Sequence, residues 1–235
     1  MDDKTIGETL LTVYDKLLAH YGPQDWWPAE EPFEVIVGAI LTQSTAWTNV
    51  ENAIRNLKAA GRLSPNGIRK LTHAELAGLI RPSGYFNAKS KKLQAFIQWL
   101  GVQYNDNLPE LFSNETVRLR EQLVAIHGIG DETADSILLY AAGKPIFVID
   151  AYSRRFIQRI GIIPKDNTYT AYQHLFMDNL PADSKLFNEY HALLVRLAKD
   201  VCRKSPLCKE CCLNTPSISP PSNEYPCSSI IHRHD

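Results

Sequence analysis

The chain has 235 residues, 44% of them hydrophobic and 22% charged, enough apolar content for a substantial core in one or two compact domains. The formal net charge of −1 supplies no global positive field, so any affinity for a polyanion must come from basic groups gathered on one face. Met1-Asp2-Asp3 is acidic and no apolar run approaches membrane-spanning length, so neither a signal peptide nor an anchor is expected, and a cytosolic protein is.

Residues 5 to 20 carry a helical stripe at Ile6, Leu10, Val13, Leu17 and Leu18, which Tyr21-Gly22-Pro23 ends. In Gln24-Asp25-Trp26-Trp27-Pro28, two indoles stand in a segment that prolines keep from being helical. Such tryptophans either plug a core or wall a pocket for a planar group. A strong helix starts at Pro32 through Phe33, Val35, Ile36, Ile40 and Leu41. The polar break Thr42-Gln43-Ser44-Thr45-Ala46-Trp47 follows, then a helix through Val50, Ala53, Ile54 and Leu57. Residues 64 to 112 predict three more helices. Ile80 to Asn87 is the turn between two of them, carrying Tyr85, with Asn87 placed to cap a helix from Lys89 to Leu100. Lys89, Lys91 and Lys92, then Arg154, Arg155 and Arg159, then Arg203 and Lys204 are the available basic clusters; a solvated face is the bland reading of each.

The stretch Leu123 to Arg155 holds the chemistry. Gly128 and Gly130, between two helical patterns, give a helix-hairpin-helix: glycine tolerates positive φ and leaves a surface without side chains. Backbone N–H groups at such a turn, beside a helix N-terminus, point at an anion, and a phosphate is the usual one. Asp131 and Thr133 open the second helix, Gly143-Lys144-Pro145 stops it, and the apolar run Ile146 to Ile149 delivers the chain to Asp150, an N-cap by position. That run is too short to seed a sheet. Helices over Ala171 to Leu180 and Leu186 to Val201 complete the pattern, and His174 and His191 lie in them without partner spacing, as surface or core histidines. All five cysteines, Cys202, Cys208, Cys211, Cys212 and Cys227, fall near the C-terminus. Without an export signal, that clustering points to a metal site, and four thiolates suit zinc or an iron-sulfur cluster.

The pattern L-x-x-I-x-G-I-G-x-x-T-A over Leu123 to Ala134, followed by V-I-D at Val148 to Asp150, resembles the endonuclease III superfamily of DNA base-excision glycosylases. The resemblance covers about residues 30 to 212. It implies that Asp150 is the catalytic aspartate and that Gly128 and Gly130 form the DNA-binding hairpin. It also implies that Gln43 fills the gap left by an extruded nucleotide and that Tyr85 probes the opposite strand. Bifunctional members carry a lysine two residues after the second hairpin glycine, where this chain has Glu132. A carboxylate forms no imine, so hydrolysis remains: Asp150 would stabilise the positive charge developing on the sugar and orient the attacking water. Trp47 and the Trp26-Trp27-Pro28 segment resemble the alkylpurine-excising branch, in which aromatics stack on the flipped base. Stacking contributes about 1–3 kcal/mol per base, and a cationic alkylated base adds about 0.5–2 kcal/mol of cation–π attraction.

The C-terminal cysteines resemble the superfamily's [4Fe-4S] loop, C-x6-C-x2-C-x5-C, with two departures. The first gap is five residues, and Ser217 stands where the last cysteine is due. Cys202, Cys208 and Cys211 carry over as ligands, Cys227 is preferred to Cys212 as the fourth, and zinc is the competing assignment. Arg203 and Lys204 on that loop would then meet phosphate.

The expected fold is all-α, in two helical lobes. A six-helix bundle with the helix-hairpin-helix spans 33–141; residues 1–32 and 142–235 form a second lobe with the cysteine-rich iron-sulfur loop (202–227), and Asp150 is expected to line the cleft between them. The expected function is a monofunctional DNA N-glycosylase of base excision repair, acting as a monomer on double-stranded DNA with a damaged base in a bacterial or archaeal cytosol. The alternatives are a bifunctional glycosylase and abasic-site lyase, or a non-catalytic helix-hairpin-helix DNA-binding protein.

Overall fold

The computed structural model describes residues 3–214. Among these, every regular element is helical, and no helix is long and apolar enough to cross a membrane. Cys227 lies outside the described residues. The chain divides into two compact units, residues 1–26 with 145–235 and residues 27–144. Trp26 and Trp27, adjacent in sequence, therefore belong to different units.

In the unit of 1–26 and 145–235, α1 (Asp3–Tyr21) packs on α11 (Tyr169–Met177) and α12 (Ser184–Asp200), and α12 in turn on α10 (Ala151–Arg159). Residues 146–149 lead into α10 without regular structure and are buried. Their β-branched and aromatic side chains are spent on packing, not on a ladder. The Phe147 ring stacks on Phe176 at 3.8 Å and meets Phe187 and Tyr190 edge-on. The buried Phe147 carbonyl, which no strand partner satisfies, accepts from Gln173 Nε2 at 2.7 Å. Tyr190, also fully buried, donates to the Leu10 carbonyl at 2.8 Å and ties α12 to α1. α1 keeps close to the chain after α11 because Gly7 has no side chain: a Cβ there would stand 2.8 Å from the Asn179 carbonyl oxygen.

In the unit of 27–144, α2 (Pro32–Leu41) is the central helix, begun by a proline at its first position and buried from Phe33 to Leu41. Around it pack α3 (Trp47–Ala59), α6 (Phe86–Tyr104) and α9 (Asp131–Ser136), which continues as one π-helical turn over Ile137–Ala141. Four helices, not three, fill the stretch after residue 64: α4 (Pro65–Arg69), α5 (His73–Leu79), α6 and α7 (Leu108–Ser113), with α8 (Thr116–Val124) after them. The extra break is written in caps. Ser64 accepts from the Gly67 amide, and Thr72 and Glu75 form a reciprocal capping box, so α4 and α5 start separately. α6 begins three residues earlier than its hydrophobic pattern indicates, so Asn87 lies inside the helix. Tyr85, with φ 44° and ψ 31°, precedes its first turn, and its side chain makes no capping bond. Ile36, Ile40, Val50, Leu93, Leu123 and Leu138 are fully buried, each worth about 1.5–3 kcal/mol relative to an exposed side chain.

Candidate active site

Asp150 precedes α10 with extended backbone and caps it. Its Oδ1 accepts from the Tyr152 amide at 2.9 Å, the Ser153 amide at 2.7 Å and Ser153 Oγ at 2.8 Å, and Ser153 Oγ accepts from the Asp150 amide at 2.9 Å. One oxygen is thus saturated by the helix terminus. The other, Oδ2, is 3.7 Å from His191 Nε2 of α12, in a side chain that keeps 15% of its surface exposed. The carboxylate is an N-cap, and it also has one oxygen not committed to the cap.

The hairpin lies in the other unit. Gly128 has φ +82°, the left-handed conformation expected of a hairpin glycine, and a Cβ there would run into the Lys92 stem. Gly130 departs from the expectation: its φ of −96° and ψ of −179° suit any residue, and what its bareness provides is open space before the first turn of α9. Glu132 is exposed in that first turn. Arg120 of α8 braces the hairpin by binding Asp131 at 2.8 Å and, through two nitrogens, the fully buried Asp135 at 2.7 and 3.1 Å.

Gln43, expected to reach into DNA, is engaged with the hairpin. Its Nε2 donates to the Gly128 carbonyl at 3.0 Å and to Thr133 Oγ1 at 2.9 Å, while Lys92 Nζ donates to its Oε1. Lys89 does not join Lys91 and Lys92 in a basic surface cluster. It is buried, four residues ahead of Leu93 on the apolar stripe of α6, and its amine donates to the carbonyls of Leu41 at 2.8 Å and Ser83 at 2.6 Å. That bond pair joins the end of α2, just before Gln43, to the turn that presents Tyr85, which is 75% exposed.

Trp27 and Trp47 meet edge to face at 5.0 Å, and Trp27 meets Tyr140 at 5.2 Å. Gly38 lets the Trp27 indole come close to α2, because a Cβ there would be 2.9 Å from the ring. Glu51 accepts the Trp47 indole N–H at 2.8 Å, fixing that ring's orientation. Sequence reading missed Tyr140, whose place on the π-helical turn no periodicity of 3.6 reveals; such turns recur at functional sites. Trp26, in the other unit, is half-buried.

Residues 37–182 match the model of the HhH-GPD superfamily of base excision DNA repair proteins. The chain belongs to this superfamily. A protein of Methanocaldococcus jannaschii with the provisional name DNA repair glycosylase MJ1434 is 44% identical over 206 residues, covering 87% of this chain and 93% of that one. The H. pylori 3-methyladenine DNA glycosylase MagIII, solved with 1,N6-ethenoadenine, superposes with a TM-score of 0.68 at 29% identity, over 85% of this chain and 98% of its own. An endonuclease III trapped covalently on DNA superposes with a TM-score of 0.75 over 87% of this chain and 92% of its own; at 21% identity that likeness concerns the fold. The chain is thus a base excision repair DNA glycosylase of the HhH-GPD superfamily.

In this glycosylase the cysteine loop is tied to α10. Arg155 donates to the Cys202 carbonyl at 3.0 Å, and Arg159 donates to the carbonyls of Cys202, Arg203 and Lys204 and to Cys202 Sγ at 3.1 Å. The side chains of Arg203 and Lys204 are left exposed. Cys202 and Cys211 are buried and Cys208 half-buried, at the start of a single 3-10 turn (Cys208–Glu210). A hydrogen bond between the neighbouring thiols of Cys211 and Cys212 brings Cys212 down to about 7 and pushes Cys211 up. Among the described residues no three Cys, His, Asp or Glu side chains converge closely enough to hold a metal ion. Four thiols, Cys202, Cys208, Cys211 and Cys212, stand on this segment, Cys202 Sγ accepting a charged N–H, and thiolate donors are of the kind that zinc and iron-sulfur clusters take.

Proposed function

We propose that the chain is a monofunctional glycosylase that extrudes an alkylated purine from double-stranded DNA and hydrolyses its glycosidic bond through Asp150. The observation that carries this reading is the division of labour within one carboxylate. Oδ1 is held by three donors of α10, which fixes the group, and Oδ2 is left to face the electron-poor sugar and orient water. At the hairpin position where an imine-forming amine would be needed stands Glu132, an exposed carboxylate that serves the dipole of α9. Trp27, Trp47 and Tyr140 offer faces and edges suited to a planar, cationic base, Trp26 is the further candidate of this kind, and the likeness to MagIII supports an alkylated purine as substrate. Such a base is already a good leaving group and needs little acid help.

Backbone N–H groups at Gly128 and Gly130 would take a phosphate, and Arg203 and Lys204 another, with Tyr85 as the wedge. A [4Fe-4S] cluster on Cys202, Cys208, Cys211 and Cys227 would have a structural role, holding the loop that carries Arg203 and Lys204; zinc on the same thiolates is the alternative.

The test is base release from duplexes each carrying one lesion: 3-methyladenine, 1,N6-ethenoadenine, an oxidised pyrimidine, a G·T mispair or 8-oxoguanine. The reading expects release of the alkylated purines. It expects Asp150→Asn, which keeps a good helix cap, to lose on the order of 100- to 1,000-fold in rate while still binding lesion DNA. Release from Asp150→Asn at the parental rate overturns the catalytic assignment, and release of only the other lesions overturns the substrate.

A further inference from the structure

His191 is the second ionisable side chain at Asp150, and nothing in the chain's helical pattern marks it as more than a core histidine. It lies midway along α12, with its Nε2 3.7 Å from the one oxygen of Asp150 that the α10 cap does not use. Both side chains are well covered, 8% exposed for His191 and 15% for Asp150. α10 and α12 pack along each other and Phe147 meets the His191 ring near perpendicular at 6.3 Å, so helix packing sets this separation, not a mobile loop.

We infer that His191 is a positioning residue of the glycosylase reaction, whose ring N–H holds Asp150 Oδ2 toward the sugar once a lesion is engaged. The inference rests on the reading of Asp150 as the catalytic carboxylate. Three donors on Oδ1 fix one end of the carboxyl group, and a donor at Oδ2 removes its remaining freedom. The distance is longer than a hydrogen bond, as catalytic contacts commonly are before substrate tightens them.

The charge state suits the task. Burial holds the imidazole below its ordinary range and outweighs the attraction of Asp150, which acts the other way, so the ring at neutral pH is uncharged, and the proposed role takes the tautomer protonated at Nε2. An uncharged donor orients the carboxylate without cancelling the negative charge that must face the developing cation. An imidazolium would cancel it. The proton stays on His191 throughout, and no bond to it forms or breaks.

Two substitutions separate positioning from packing. His191→Leu preserves apolar volume and removes the donor; His191→Gln returns an amide N–H near the position of Nε2. Each is measured on the duplex that the parent processes, beginning with 3-methyladenine, for the single-turnover rate of base release and for affinity. The expected result is a rate loss on the order of 10- to 100-fold in His191→Leu at an affinity within about twofold, with His191→Gln restoring most of the rate. If His191→Leu loses its cooperative melt, His191→Asn, whose amide stops short of Asp150, takes its place in the comparison. A donorless variant at the parental rate, or a folded His191→Gln as slow as the donorless variant, overturns the inference. Asp150→Asn in parallel keeps the two readings apart. If it is inactive while both His191 variants run at the parental rate, only the role of His191 falls; if it too is fully active, the catalytic reading of Asp150 falls first.

Discussion

Lys89 is the residue whose placement is most demanding, an amine in the interior of the 27–144 unit with two carbonyl oxygens as its partners. Burial is the larger influence and the nearby Lys92 charge adds to it, bringing the amine down to about 8. Because the folded value lies below the unfolded one, the folded state gives up this proton first as pH rises. Between about 8 and the ordinary lysine value near 10.5, only the unfolded chain still binds it, and stability from this group increases with pH there. Lys89→Met should lower stability at pH 7 by about 1–3 kcal/mol, by leaving two buried carbonyls without their donor. The gap between variant and parent, measured by urea unfolding, should widen from pH 8 to 10 as the parent alone gains; a gap that narrows contradicts this account. The position was legible in part, since Lys89 continues the stripe of Leu93, Phe96, Ile97 and Leu100. What hid it was charge: three lysines within four residues look like a solvated face until one is found to have backbone acceptors inside. Gly128 was legible because only glycine rests easily at its φ, whereas Gly130 looks the same in sequence and needs no such freedom.

The hairpin's stiffness comes from elements around it. Arg120 of α8 joins both ends of α9's first turns, and Asp135 is fully buried beneath it. Arg120→Ala removes the guanidinium from a buried carboxylate, a loss of about 3–5 kcal/mol in thermal or urea unfolding, and DNA affinity should fall with it. A loss under about 1 kcal/mol would show that the pair behaves like a surface bridge. Most of the helices could be read from their stripes and stops, and Asp150 from its place at the end of an apolar run, because those are local signals. The partner of Asp150 was not legible. His191 reaches it only because α10 and α12 pack together, and no periodicity within one helix says which residue of another will oppose it. The same holds for Gln43, whose hydrogen bonds to Gly128 and Thr133 depend on α2 ending beside the hairpin.

At the scale of the whole molecule, each unit carries its own share of the proposed chemistry: hairpin, wedge and aromatic cluster in residues 27–144, carboxylate and cysteine loop in the other. The family was legible because glycine hairpin, aspartate spacing and cysteine loop agreed independently, while the fourth thiol was not, since Ser217 displaces it. On the proposed ligand set, purified parent should hold about four irons and four sulfides per chain, Cys227→Ser should lose them, and Cys212→Ser should keep them. Retention in Cys227→Ser with loss in Cys212→Ser would exchange the ligands, and stoichiometric zinc in place of iron would replace the cluster. The central claim, however, is hydrolysis by a carboxylate with no covalent link to the sugar. It is tested most directly by incubating the parent chain with a 3-methyladenine duplex in two portions, one with borohydride to trap any imine and one without it for analysis of the strand before and after hot alkali. The account predicts an intact strand that breaks only after hot alkali, and no protein–DNA adduct; strand scission without alkali together with a trapped adduct would contradict it and place an amine, Lys144 being the first to substitute, at the reacting carbon.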